Sequence, residues 1–132
     1  MLSLGIDTRV VLATEPVDLR RGHDGLISLV RSRWNADPYS GTLFVFLGRR
    51  GDRAKVLFFA RGGFVVYYKR LERGRFVMPP IPEGATSITL DGAALTMLLD
   101  GIDLRFVRRP ELWSPKKATV TSTQGIDKRH AS

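Results

Sequence analysis

The chain has 132 residues, of which 43% are hydrophobic and 26% charged, which suffices for one globular domain with a buried core. Because it contains no cysteine, disulfides, thiolate metal ligands and a cysteine nucleophile are excluded. Lysine and arginine total 21 against 13 acids, and the resulting net charge of +8 is typical of proteins that bind polyanions.

Two elements are expected in the first part of the chain. Residues 8–14 form a short segment rich in β-branched side chains, which predicts a strand. Pro16 ends this strand, because proline cannot continue a hydrogen-bonded ladder. From Leu26 to Trp34 apolar residues recur at near-helical spacing, which predicts a helix. Asp24 is placed to cap the start of this helix.

The centre of the chain predicts three strands, at residues 43–47, 54–60 and 64–69. Glycine-containing turns separate them, which is typical of an antiparallel meander. All three are apolar on both faces, whereas an antiparallel sheet with one wet face would alternate. Either both faces are covered, or one aromatic face is available to a partner.

Three further elements are expected after the meander. Residues 76–78 predict a short fourth strand, and residues 87–90 an edge strand. Residues 92–99 predict a short helix with Asp91 as its N-cap.

The sequence therefore predicts one α+β domain over residues 1–109, built on a central antiparallel meander with two short helices packed on it. Beyond this point the hydrophobic pattern fades. Residues 110–132 predict a flexible basic C-terminal tail.

Targeting signals are absent from the sequence. The N-terminal residues lack the basic and apolar regions of a signal peptide. No apolar run reaches the ~18 residues that a membrane helix requires. We therefore expect a cytoplasmic protein with no membrane partner.

The positive charge is concentrated between residues 49 and 75, where nine basic and two acidic side chains supply +7 of the net +8. The basic residues are Arg49, Arg50, Arg53, Lys55, Arg61, Lys69, Arg70, Arg73 and Arg75. They flank aromatic strands, and cations neutralise phosphates while aromatic faces stack on unpaired bases. We predict that these nine residues form a nucleic-acid-binding surface. The alternative is that the aromatic residues are core and the arginines a solvated rim.

Catalytic motifs are poorly supported. No phosphate-binding or dinucleotide-binding glycine motif is present, and the two histidines are far apart in the sequence. Asp18 and Asp24 bracket Arg20, Arg21 and His23, which indicates either a salt-bridged turn or the metal site of a cryptic nuclease. We favour the turn, and expect no catalytic residues, no metal site and no cofactor.

Several groups of residues, in order along the chain, match one known family. They are residues 10–12 (VVL), 14–26 (TEPVDLRRGHDGL), 37–41 (DPYSG), 43–46 (LFVF), 49–53 (RRGDR), 67–76 (YYKRLERGRF) and 98–103 (LLDGID). Over about residues 8–105 the chain resembles TnpB, the second open-reading-frame product of the insertion sequence 66 (IS66) family. This TnpB is unrelated to the RNA-guided nuclease of the same name.

The resemblance implies a protein of a bacterial mobile element, encoded beside a transposase that carries the acidic catalytic residues. We therefore expect a non-catalytic accessory protein for transposition, whose partners are DNA, the transposase and other proteins of the same element. The alternative is a protein-interaction module that docks on the transposase through an aromatic sheet face and has little DNA affinity of its own.

Overall fold

A computed structural model describes residues 8–106 of the chain. In chain order the elements are β1 (Val10–Ala13), α1 (His23–Trp34), β2 (Leu43–Leu47), β3 (Arg53–Ala60), β4 (Gly63–Arg70), β5 (Ser87–Leu90), α2 (Gly92–Leu99) and a 3-10 helix (Leu104–Phe106). The expected boundary at residue 109 and the expected tail over residues 110–132 lie outside the described residues.

The five strands form one sheet in the order β4-β3-β2-β1-β5. Strands β2, β3 and β4 pair antiparallel, which confirms the predicted meander. Strand β1 pairs parallel with β2 and antiparallel with β5. Parallel neighbours need a crossover connection, and α1 supplies it. The fold is thus the predicted α+β domain, with one parallel pair inside a mostly antiparallel sheet.

Helix α1 covers one face of the sheet. Its residues Leu26, Val30 and Trp34 are buried against β2, where Phe44 and Phe46 point to this side. The Trp34 ring stacks on both phenylalanines, at centroid distances of 6.0 Å and 5.8 Å. Such offset aromatic pairs add to the free energy gained from burial.

Helix α2 covers the opposite face. Its residues Leu95 and Leu98 are fully buried in a cluster with Leu12, Val45 and Val56. Alternate residues of β2 therefore meet a helix on either side. This explains why the central strands are apolar on both faces: the faces are covered by helices, and most of the sheet is not available to a partner.

The two helices begin differently. Gly22 occupies the N-cap of α1 in an extended conformation and no side chain caps it, so the prediction that Asp24 is the cap is wrong. Asp24 lies in the first turn, where a carboxylate interacts favourably with the helix dipole. Asp91 caps α2 as predicted, because its carboxylate accepts a hydrogen bond of 2.7 Å from the Ala94 amide.

The turn between β3 and β4 has two residues, Arg61 and Gly62, with φ angles of 53° and 83°. Positive φ at both positions is typical of a type I′ turn, whose twist matches that of the flanking strands. Glycine adopts this conformation readily, whereas it is uncommon for arginine. The hairpin therefore projects Arg61 from its tip.

The prediction of a strand at residues 76–78 is wrong. These residues are irregular, and the Phe76 amide instead donates a hydrogen bond of 2.7 Å to the carbonyl of Gly51 in the β2–β3 turn. The Phe76 side chain is buried in the cluster under α2. Burial of one aromatic residue therefore fixes this segment without any strand pairing.

No helix within residues 8–106 is long and apolar enough to cross a membrane.

Candidate functional site

Three chain segments meet at the end of the sheet where β1 and β2 have their carboxyl ends. The loop after β1 is held there by a parallel bridge between Val17 and Gly48, with the Val17 amide 3.0 Å from the Leu47 carbonyl oxygen. The segment after β4 is held by the Leu71 amide, which donates to the Asp52 carbonyl at 2.8 Å. The β2–β3 turn therefore lies between the other two segments.

The loop after β1, the β2–β3 turn with the start of β3, and β4 line an open cleft of about 700 Å³ on the α1 side of the sheet, which we call the basic cleft. Its cations are Arg20, Arg49, Arg50, Arg53 and Lys55. Its apolar surface comes from Val17, Leu19, Val66 and Tyr68, and Asp18 and Gly48 complete the lining. Five cations and one carboxylate thus face a partly apolar recess.

The strand register determines which cations of β3 and β4 face the cleft. In the β3–β4 pairing Arg53 lies opposite Arg70, and Lys55 lies opposite Tyr68. Residues directly opposite each other in an antiparallel pair point to the same face. All four side chains therefore project from the α1 side of the sheet, where Leu57 of the same strand packs in the α1 cluster.

Lys55 is held in place by two contacts. Its Nζ donates a hydrogen bond of 2.9 Å to the carbonyl oxygen of Arg21 and lies 5.6 Å from the centroid of the Tyr68 ring. The first contact ties the loop before α1 to the sheet. The second is a cation–π contact with the aromatic residue of the cleft.

Arg53 is less well satisfied. Its Nε lies 3.8 Å from Oδ1 of Asp52, which is beyond hydrogen-bond distance. Both atoms are buried, and neither has a hydrogen-bond partner among the described residues. A buried donor without a partner has a desolvation cost.

Asp18 and Arg20 form a tight ion pair. Arg20 Nε lies 3.0 Å from one carboxylate oxygen and Nη2 lies 2.8 Å from the other. The hydrogen bonds from the Arg20 side chain and then from its amide hold the pKa of Asp18 well below its ordinary value, and the same pair raises the pKa of Arg20. The mixed-charge cluster is therefore a salt-bridged turn, as we favoured.

The carboxylates suggested for a nuclease are not part of a metal cluster. Within residues 8–106 no group of three or more histidine, aspartate or glutamate side chains is arranged to hold a metal ion. Asp18 is bound by Arg20, while Asp24 is exposed on the first turn of α1.

Most of the predicted nucleic-acid-binding residues lie at this end of the sheet. Arg49, Arg50, Arg53 and Lys55 line the basic cleft. Arg70 lies beside Arg53 on the same face. The neighbouring segment carries Arg73, which is exposed, and Arg75, whose side chain runs along Gly51 so closely that a Cβ there would lie 3.3 Å from its Cδ.

Five of the nine predicted residues do not line the cleft, and two of these, Arg61 and Lys69, are also directed away from it. Arg61 lies in the turn at the far tip of the β3–β4 hairpin, beyond Ala60, which is about 23 Å from Arg53 at a rise of about 3.3 Å per residue. Lys69 lies opposite Ala54, so it faces the α2 side, where its Nζ is 3.5 Å from Oδ1 of Asp100. The nine residues therefore do not form a single surface.

Arg20, Leu19 and Tyr68 were not among the predicted site residues. Arg20 and Leu19 reach the cleft because the parallel pairing of β1 and β2 brings the loop after β1 against the β2–β3 turn. Leu19 packs so closely that a Cβ on Gly48 would lie 3.1 Å from its Cδ1. Tyr68 could have been found from the two-residue period of the hairpin, which places it opposite Lys55.

A second feature lies at the opposite end of the hairpin on the α1 side. Tyr39, Phe59 and Phe64 form an aromatic triad with ring centroids 5.0–5.1 Å apart. Arg31 lies over the Tyr39 ring, 5.9 Å from its centroid. Tyr39 is 53% exposed, so the triad is only partly buried.

Comparison with known proteins agrees with the resemblance in sequence. Residues 8–109 match the family described as IS66 Orf2 like protein. Two relatives come from Sinorhizobium fredii (strain NBRC 101917 / NGR234). Uncharacterized protein y4jC is 38% identical over 109 residues, which cover 83% of this chain and 92% of the relative. Uncharacterized protein y4hO is 41% identical over 117 residues, which cover 89% of this chain and 98% of the relative.

No solved structure matches the chain. The family match spans all the described residues, and both relatives are covered almost along their full length. The chain therefore belongs to the IS66 Orf2-like (TnpB) family, which associates it with transposition by an insertion element.

Proposed function

We propose that the protein is a non-catalytic accessory factor for transposition that binds DNA through the basic cleft. The observation that carries this proposal is the convergence of five cations from two chain segments, the loop after β1 and residues 49–55, on one recess that contains a single carboxylate. Such a concentration of charge attracts polyanions and releases the counterions bound to their phosphates.

The charge balance inside the cleft supports the same function. Asp18 already engages Arg20 in a bidentate ion pair. The remaining cations have weaker acidic contacts or none among the residues that line the cleft, since Arg53 is not hydrogen-bonded to Asp52. Arg49 and Arg50 are exposed on the turn and can reach phosphates without a rearrangement of the sheet.

Fluorescence anisotropy of labelled single-stranded and duplex DNA tests the proposal at about 50 and 200 mM salt. If about four phosphates are neutralised, affinity falls roughly 10²-fold between these conditions. The variant Arg49/Arg50/Arg53→Ala should lose most of the binding and show a shallower dependence on salt.

A matched control removes the same charge elsewhere. The variant Arg33/Arg61/Lys69→Ala takes three cations from positions outside the cleft. We expect it to retain most of the affinity. Equal losses in the two variants would show that only net charge matters, and an absence of binding at low salt would refute the proposal.

The aromatic triad favours a second candidate function, which is docking on the transposase. Tyr39 is exposed over Phe59 and Phe64, and partly exposed aromatic clusters are common in protein interfaces. Co-purification with the transposase of the element should then survive Arg49/Arg50/Arg53→Ala and fail with Tyr39→Ser. The reverse result would remove this candidate.

A further inference from the structure

The basic cleft combines a cationic rim with an apolar interior. Val17, Leu19 and Val66 contribute aliphatic surface beneath the arginines, and Tyr68 contributes an aromatic ring. Phosphates alone need only the cations. In duplex DNA the faces of the bases are stacked on one another. A bound duplex would therefore present phosphates to the cations and no base face to the apolar interior of the cleft.

We propose that the cleft accepts an unpaired nucleobase of single-stranded DNA, with Tyr68 as the stacking surface and the rim arginines on the adjacent phosphates. This inference rests on the proposed function and names its substrate class. Stacking on an aromatic residue is tolerant of sequence, because every base has a π-face.

The state of the Tyr68 side chain supports this role. It projects from β4 on the α1 side and contacts Lys55, whose ammonium is itself held by the Arg21 carbonyl at 2.9 Å. Despite this contact Tyr68 is 50% exposed. The ring is therefore positioned by its neighbours and still accessible, so little order has to be imposed when a base binds.

The size of the cleft and its polar groups fit the same ligand. A volume of about 700 Å³ lies in the range of sites that hold one small ligand, such as a nucleotide. The Arg53 side chain is 35% exposed at the wall of the cleft, so its guanidinium can donate to a base or a phosphate oxygen. Arg49 and Arg50 lie on the exposed turn at the rim.

The test compares three labelled probes of equal length by anisotropy at one salt concentration: oligo(dT), an abasic single strand and a duplex. The abasic strand keeps the phosphates and lacks the bases. We expect oligo(dT) to bind roughly 10-fold more tightly than the abasic strand, which is the effect of about one stacked base. Tyr68→Leu should abolish this difference, and Tyr68→Phe should preserve it.

The control variant is Tyr39→Leu, which changes the other half-exposed tyrosine, outside the cleft. It should keep the preference for oligo(dT), and far-UV circular dichroism should show all variants folded. Equal affinity for oligo(dT) and the abasic strand, or a preference that survives Tyr68→Leu, would overturn the inference and leave DNA binding intact. Failure to bind any probe would overturn the proposed function as well.

Discussion

The Lys55 ammonium donates a hydrogen bond of 2.9 Å to the main-chain carbonyl of Arg21, which lies 34 residues earlier in the chain. This bond joins the sheet wall of the basic cleft to the loop that leads into α1. The cation that faces a ligand is thus also a structural contact between two walls of the cleft.

Replacement of Lys55 by methionine should therefore affect both stability and binding. Lys55→Met keeps most of the aliphatic length and removes the donor, and we expect the free energy of unfolding to fall by about 1 kcal/mol. Urea denaturation measures this change, and anisotropy should show weaker DNA binding. In the control Lys69→Met, which loses only the surface contact with Asp100, stability should change less and DNA binding should change little.

Removal of the Asp18 carboxylate should strengthen DNA binding. Asp18→Asn deletes the one acid that lines the cleft and releases Arg20 from its ion pair. We expect affinity at low salt to rise several-fold and the salt dependence to steepen by about one charge. Asp24→Asn, at an exposed acid outside the cleft, is the control. Metal-dependent cleavage of DNA that disappears in Asp18→Asn would instead support a nuclease.

The same ion pair predicts how stability depends on pH. Arg20 lowers the pKa of Asp18 below its ordinary value of 3.8, so the unfolded chain binds this proton more readily than the folded chain. The stabilisation of the folded state by this ion pair is therefore fully present above pH 3.8. It is lost as the pH falls below this value and through the lower pKa of Asp18 in the folded chain. Denaturation of wild type and Asp18→Asn should differ by a constant amount from pH 7 to about pH 5 and converge in stronger acid. If the difference in unfolding free energy between wild type and Asp18→Asn vanished near neutral pH, this would contradict the ion pair between Asp18 and Arg20.

The Trp34 side chain should be a major contributor to stability. It is 6% exposed and stacks on Phe44 and Phe46, so Trp34→Ala should lower the free energy of unfolding by about 3–5 kcal/mol. Its indole Nε1 is buried without a hydrogen-bond partner among the described residues. Trp34→Phe removes that atom and should cost no more than about 1.5 kcal/mol. Urea denaturation followed by circular dichroism gives both values, and equal losses would contradict the stacking arrangement.

Proline substitutions test the register of the edge strand β4. The two-residue turn makes Ala60 and Gly63 a hydrogen-bonded pair, so the Val65 amide points to β3 and the Val66 amide points away from the sheet. The Leu71 amide, which donates to Asp52, follows the same alternation. Val65→Pro should therefore be less stable than Val66→Pro by about 1–3 kcal/mol in urea denaturation, because it leaves a strand carbonyl unpaired. The opposite order would indicate a register shifted by one residue.

Most local features of the fold were predictable, because they depend on neighbouring residues; the Asp24 cap and the strand at residues 76–78 were the exceptions. The bounds of β2, the meander and the Asp91 cap all follow from strand composition, turn glycines and capping chemistry. The parallel pairing of β1 with β2 was not predicted, since the composition of a strand does not identify its neighbour. Arg20 was missed for this reason, because it enters the cleft only through that pairing.

The candidate site was predictable in part. The concentration of charge between residues 49 and 75 predicted residues most of which lie at the same end of the sheet as the candidate cleft. Lys69 and Arg70 are adjacent in sequence yet point to opposite faces of the sheet, and Arg61 is carried away by the length of the hairpin. A count of charges along the chain does not show which face of a strand a side chain is on, or how far along the strand it lies.

The basic cleft is assembled from residues 17–20, 48–55 and 66–68, which lie far apart along the chain. An unfolded copy has the same charge of +8 but has no cleft. A ligand that fills the cleft therefore binds the native state selectively and raises the midpoint of thermal unfolding as its concentration increases. A polyanion attracted only by net charge binds both states and raises the midpoint much less, so the melting temperature distinguishes occupancy of the cleft from general ionic attraction.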